Sequence, residues 1–177
     1  MTIFFTSDTH FGHTNIIRYC SRPFANVAEM NEGLIERWNS RVTKGDTVFH
    51  LGDFFYSMKK DEAIEVLHRL NGQVRIVPGN HDKLIHRMWE SWQLCEVRRS
   101  ELFVLEQPII EIHHEHKMLV LCHFPIESWH QKERGSIHLH GHSHGNSTPT
   151  INRYDVGVDV YGGPVTLEEL ENRKGWA

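Results

Sequence analysis

A chain of 177 residues with 39% hydrophobic and 24% charged side chains is long enough to bury roughly 70% of its unfolded surface, and too apolar to stay disordered. Its longest apolar runs, such as Met118–Cys122, fall far short of the ~18 residues that span a membrane. A formal net charge of −4 excludes a general nucleic-acid coat.

The elements follow in chain order. Ile3–Thr6, Thr47–Leu51 and Val74–Pro78 are short apolar runs that predict buried strands. Asn26 with Glu29 is a helix-start signal, after which Val27, Met30, Leu34 and Trp38 recur at helical spacing. Ala63, Val66, Leu67 and Leu70 repeat that spacing up to Asn71-Gly72. Beyond residue 95 the pattern turns to strands at Glu96–Glu106, Pro108–His113 and Lys117–Cys122, with His114-Glu115-His116 as a hairpin turn. Ser136–His140 and Tyr154–Tyr161 predict two more strands, and Thr166 with Glu169 forms a capping box for a short last helix. The first half thus reads βαβαβα and the second mostly β, in one domain over residues 1–177 with no repeat or linker. Cys20, Cys95 and Cys122 are too few and too scattered for a disulfide framework or a zinc module. They read as reduced thiols of a cytoplasmic protein, and no basic signal-peptide region precedes the first apolar run.

Fifteen histidines are out of line with this composition, and nine of them lie between His113 and His144. Five polar clusters interrupt the apolar pattern: Asp8-Thr9-His10, Gly52-Asp53, Gly79-Asn80-His81-Asp82, His123, and Gly141-His142-Ser143-His144. Each begins one to three residues past a predicted strand, where open α/β sheets gather ligand groups. Asp8, His10, Asp53, Asn80, His123, His142 and His144 are therefore expected at one edge of the core. Asp8/His10 and His142/His144 are spaced so that, in extended backbone, each pair shares a face. Carboxylate, imidazole and amide oxygen without thiolate suit Mn²⁺ first, with Zn²⁺, Fe or Mg²⁺ as alternatives. Seven ligands exceed one tetrahedral site and suit two divalent ions sharing a bridging carboxylate. Four positive charges against two aspartates leave such a site electropositive, which favours a phosphate substrate.

In order and in spacing, these five clusters resemble the motifs of the calcineurin-like metallophosphoesterase superfamily. Asp8-Thr-His-Phe-Gly-His and Val156-Gly-Val-Asp159 resemble a small bacterial or phage branch of it. The resemblance implies an α/β fold, a four-layer α/β/β/α sandwich with two mixed sheets face to face and helices outside. It implies that Asp8, His10, Asp53 and His144 hold one ion, and that Asp53, Asn80, His123 and His142 hold the other. A hydroxide on the two ions would attack phosphorus, and His81 would protonate the leaving oxygen. Where many phosphatases of the superfamily carry a second aspartate to orient that histidine, this chain has Tyr56, which leaves Asp82 as the local substitute. The expected activity is a phosphodiesterase acting on a small, nucleotide-like phosphoester, with a phosphomonoesterase as the alternative.

Other residues have plainer readings. His50, inside an apolar strand, is expected to be a core histidine, and His138 and His140 are left outside the ligand set. His113, His114 and His116 decorate a solvated turn. His13, Asn15 and Arg18 either line a substrate mouth or belong to an ordinary helix start. Arg22 is expected at the surface, and Trp129, His130, Lys132 and Arg134 form either a substrate loop or a plain connection. A non-catalytic metal-binding scaffold on the same fold is the rival from another class, but scaffolds tend to lose ligand residues and all seven positions here are competent. A metallo-β-lactamase-type hydrolase fails where its motif needs an Asp-His pair and this chain has His142-Ser143.

Overall fold

The computed structural model describes residues 1–93 and 102–172. Strands β1 (Ile3–Thr6), β2 (Thr47–His50), β3 (Gln73–Ile76) and β4 (Val104–Leu105) form one sheet in that order, all parallel. A parallel neighbour needs a long crossover. Helices α1 (Ile16–Tyr19) and α2 (Val27–Asn39), α3 (Lys60–Arg69) and α4 (Lys83–Gln93) lie in the successive crossovers. Only the second sheet is mixed. There β5 (Ile109–His114) and β6 (Lys117–Cys122) are antiparallel, while β7 (Ile137–His140) and β8 (Arg153–Asp155) continue in parallel from β6.

Strand alternation divides the apolar side chains between two cores. Phe4, Val48 and Val74 are register neighbours and pack on the helices with Met30, Leu34 and Trp38 of α2 and Ile85, Met88 and Trp92 of α4. Phe5 and Phe49 point the other way and meet Leu119, Leu121, Ile137 and Leu139 of the second sheet. Each such buried side chain contributes roughly 1.5–3 kcal/mol. The Trp38 indole N–H donates to the Asn71 carbonyl at 2.9 Å, so its burial leaves no donor unpaired and ties α2 to the turn after α3. On the outer face of the second sheet, Val120, His138 and His140 are buried. The 124–136 connection, with a single 3-10 turn at Lys132–Arg134, lies on that side, with the Trp129 ring 5.3 Å from that of His138.

The two capping signals are realised. The Asn26 side chain accepts the Glu29 N–H at 3.0 Å, and Thr166 and Glu169 cap α6 (Leu167–Asn172) reciprocally. The hairpin turn is Glu115-His116, both left-handed at φ 49° and 64°, so His113 and His114 belong to β5 instead of the turn. Tyr154–Tyr161 is not a single strand. It stops at Asp155, Gly157 pairs with Ser7 across the sheets, and Val158–Tyr161 coils into a one-turn helix, α5. Of the run Glu96–Glu106, the described part holds β4. Residues 96–101, with Arg98 and Arg99, lie outside the described residues, as does Cys95. Among the described residues no helix is long and apolar enough to cross a membrane.

Candidate metal centre

The five polar clusters sit just past the C-terminal ends of β1, β2, β3, β6 and β7. To turn side chains inward there, the backbone goes left-handed at Asp8 (φ 58°), His10 (49°), Asp53 (59°), His142 (67°) and His144 (48°). Such conformations cost non-glycine residues on the order of 1–2 kcal/mol each and concentrate at functional sites. Two glycines make the close approach possible. A Cβ on Gly52 (φ 88°) would lie 2.5 Å from the Gly79 nitrogen and 2.7 Å from His123 Nδ1, and one on Gly141 would strike the Asp8 carboxylate.

Asp8, His10 and His144 bring ligand atoms within 4.8 Å of one another, and Asp53, His123 and His142 do the same. In the first group, Asp8 Oδ1 faces His10 Nε2 at 4.0 Å and His144 Nε2 at 3.9 Å. Ser7 Oγ and the His142 N–H hold that carboxylate in place. In the second, His123 Nδ1 donates to the Leu51 carbonyl at 2.8 Å, which aims Nε2 inward, and burial is outweighed there by Asp53, which raises the pKa of the imidazole. His123 Nε2 sits 3.1 Å from Asn80 Oδ1 and 3.5 Å from Asp53 Oδ2. The same Asp53 oxygen is 3.6 Å from His10 Nε2, so its carboxylate stands between the two groups. All seven expected ligands thus reach one face.

The donor set fits a divalent cation. His10 is 2% exposed, and both its ring nitrogens are buried without a hydrogen-bond partner among the described residues. Native structures rarely tolerate that, and a coordinated ion removes the deficit. Burial drives the His10 imidazole down to about 3, against the pull of Asp53, so it is a neutral donor. Burial lifts the Asp8 carboxyl to about 6, despite the Ser7 bond. It acts the same way on Asp53, but the hydrogen bond and charge of His123 and the His81 N–H outweigh it and hold that carboxyl at about 2.

Behind His144 lies a partner set that the ligand motifs alone do not specify. Its Nδ1 is 2.7 Å from Asp159 Oδ2, and Asp159 in turn accepts Arg22 Nε at 2.7 Å and Nη2 at 2.8 Å. Arg22 also donates to the carbonyls of Asp8 and Thr9, at 2.7 and 2.8 Å. Arg22, 7% exposed, is therefore no surface residue. It ties the first loop to the His144 loop and orients the His144 ring through Asp159, the carboxylate–histidine arrangement common behind metal-binding histidines. The available signal was the Val156-Gly-Val-Asp159 string, which carries Asp159.

Asp82 does not orient His81. It is 1% exposed, and its two oxygens accept the backbone N–H groups of Asp53, Gly79 and Phe54 at 2.8, 2.8 and 2.9 Å. It is the clamp between the second and third loops. The His81 ring instead stands edge-on to Tyr56 at 5.1 Å and faces His10 at 5.7 Å, while Tyr56 stacks on His13 at 3.9 Å. These rings border a cavity of about 380 Å³ lined also by Asn15, Ile16, Tyr19, Asp53, Asn80, His142 and His144. His13 and Asn15 therefore do line the mouth, whereas Arg18 lies over the Tyr19 ring and is absent from the lining. Trp129, His130, Lys132 and Arg134 are absent from it too and belong to the connection over the second sheet. His50 is a core histidine, fully buried with Nε2 3.0 Å from Thr9 Oγ1.

Residues 1–172 match the model of the calcineurin-like phosphoesterase superfamily domain. The chain is 39% identical over 164 residues to an uncharacterized protein of Methanocaldococcus jannaschii, covering 89% of this chain and 81% of that one. It is 28% identical over 191 residues to the gene 66 protein of Mycobacterium phage L5, covering 94% and 90%. A protein of unknown function from Aquifex aeolicus shares the fold with a TM-score of 0.72 at 24% identity, over 96% of this chain and 97% of that one. The family match takes in all five strand-end clusters, and the chain belongs to the calcineurin-like phosphoesterase superfamily, a family of metal-dependent phosphoester hydrolases.

Proposed function

We propose that the chain is a phosphodiesterase that works with two divalent ions, Mn²⁺ first among them, on a small phosphoester. The observation that carries this reading is the single Asp53 oxygen lying 3.6 Å from His10 Nε2 and 3.5 Å from His123 Nε2. A carboxylate so placed would serve two ion sites instead of one. Asp8, His10 and His144 would hold the first ion, and His123, His142 and the Asn80 amide oxygen the second, with Asp53 shared. When bound, the ions acidify a water as nucleophile and stabilise the attacking and leaving oxygens of an in-line displacement.

The remaining work falls to the chain. Arg22 and Asp159 fix the His144 ring, and the Asp82 clamp fixes the backbone that carries Asp53 and Asn80. His81 is exposed at the cavity wall, where it can deliver a proton to a leaving oxygen. Among the described residues no lysine or arginine lines this cavity. The second negative charge of a monoester dianion would find no side-chain counter-charge there, which favours the singly charged diester.

The test is hydrolysis of bis-nitrophenyl phosphate and of nitrophenyl phosphate by chelator-stripped protein titrated with Mn²⁺, with Asp53→Asn as control. The reading requires two bound ions per chain, activity that returns with metal, loss in Asp53→Asn, and a preference for the diester. One ion per chain would overturn the shared centre, and monoester preference would overturn the substrate class.

A further inference from the structure

A second cavity of about 420 Å³ adjoins the one over the ligands, and the two share Tyr56, Asn80 and His81 as a common wall. Its chemistry is different. Lys83 and Arg87 line it, no carboxylate among the described residues does, and Phe55, Met58 and Leu84 supply an apolar side. Lys83 and Arg87 are four residues apart on α4, and Leu84 is three from Arg87, so the three lie on one helical face. Arg87 Nε donates to the Lys83 carbonyl at 3.2 Å, which fixes the start of the guanidinium and leaves its two amino groups for another acceptor. Among the described residues neither cation is paired with a carboxylate. The cationic side chains that the first cavity lacks are therefore present one step away, beyond His81.

We infer that this second cavity is the leaving-group subsite and that it selects a leaving group carrying its own phosphate, as a nucleotide does. The inference rests on the phosphodiesterase reading of the adjoining site. If His81 protonates the leaving oxygen, the leaving group must lie on the His81 side of the scissile phosphorus, and this cavity is what lies there. Lys83 and Arg87 then bind the second phosphate by charge-assisted hydrogen bonds. Phe55, Met58 and Leu84 take the sugar or base.

The experiment compares dithymidine diesters that carry a terminal phosphate at the 5′ end, at the 3′ end, or at neither. Each is assayed with wild-type protein and with Lys83→Ala/Arg87→Ala, both exchanges at exposed positions. A terminal phosphate at one end is expected to raise kcat/KM about tenfold or more, mainly through KM, and the double variant is expected to remove most of that ratio. A second readout does not depend on turnover: equilibrium binding of thymidine 3′,5′-bisphosphate and thymidine 5′-monophosphate to metal-free protein. The bisphosphate is expected to bind more tightly to wild type and to lose that advantage in the double variant. Equal kcat/KM with and without the terminal phosphate, or a preference that survives the double variant, overturns the subsite. Failure to cleave any diester, the nitrophenyl one included, overturns the phosphodiesterase reading instead, and the binding comparison then decides the subsite by itself.

Discussion

Arg22 and Asp159, 137 residues apart in sequence, are joined by two parallel hydrogen bonds in a nearly dry setting, their side chains 4% and 7% exposed. The same carboxylate holds His144, and the same guanidinium holds the Asp8 and Thr9 carbonyls. One buried ion pair thus sets the geometry of two loops at once.

Asp159→Asn keeps the shape but removes the charge that raises His144 basicity. It is expected to weaken one of two Mn²⁺ binding steps about 10- to 100-fold while sparing the other. Calorimetric titration of stripped protein reads this directly, and an unchanged first and second step would refute it. Arg22→Met leaves the buried Asp159 carboxylate with His144 alone and two carbonyls without their donor, and is expected to cost about 3–5 kcal/mol in urea unfolding.

Asp82 and His81 are neighbours in sequence with opposite duties. Asp82→Ala strips three backbone donors of their acceptor and should destabilise the fold by about 3 kcal/mol or more. Its effect on hydrolysis should be the same for good and poor leaving groups. His81→Ala should leave stability nearly unchanged and slow esters of basic alcohols far more than nitrophenyl esters. Parallel leaving-group plots for the two variants would return Asp82 to a catalytic role.

Ions that bind only the folded chain raise its stability by mass action. At about one hundred times the dissociation constant each ion contributes about 2.7 kcal/mol, on the order of 5–10 °C in Tm for a chain of this size. Scanning calorimetry in chelator and then in Mn²⁺ should show both increments in wild type. Asp53→Asn should gain less than half of the wild-type shift, because the lost oxygen faces both groups.

Acid should unfold the protein partly through His138. Burial drives this imidazole down to about 4, with Nδ1 3.0 Å from the Val120 carbonyl and Nε2 accepting the Ile126 N–H. The unfolded chain takes up the proton near its ordinary value of 6.5 and the folded chain resists it until about 4. The unfolded state therefore binds more protons in that window, and stability falls as pH falls. The contribution approaches about 1.4 kcal/mol per pH unit between roughly pH 5.5 and pH 4.5. His138→Gln should flatten the pH dependence of urea unfolding by that slope, and an unchanged slope would count against a neutral buried His138.

Strand ends and ligand types were legible in the sequence because polar residues break apolar runs where the chain leaves each sheet. What the sequence hid is orientation and pairing over distance. Nothing around Arg22, in a loop before Pro23, carries the period of a buried face, and its burial depends on Asp159. Adjacency made Asp82 the natural partner of His81, yet these successive residues in the turn before α4 point opposite ways, one to the cavity and one to the loops behind it. Valine-rich Val156–Val160 has strand character that its surroundings override. Gly157 pairs with Ser7, and the Val158 N–H donates to the Ser7 carbonyl, so the chain turns there and brings Asp159 to Arg22 and His144.

The origin of the ligands has one more consequence. Asp8 and His10 leave the first sheet and His144 leaves the second, and Asp53 leaves the first while His123 and His142 leave the second. Each group is thus drawn from both sides of the seam, so on the two-ion reading an ion in either place would cross-link the two sheets. Its release would then need the sheets to part at that edge, and metal exchange would become a clock for the breathing of the whole sandwich.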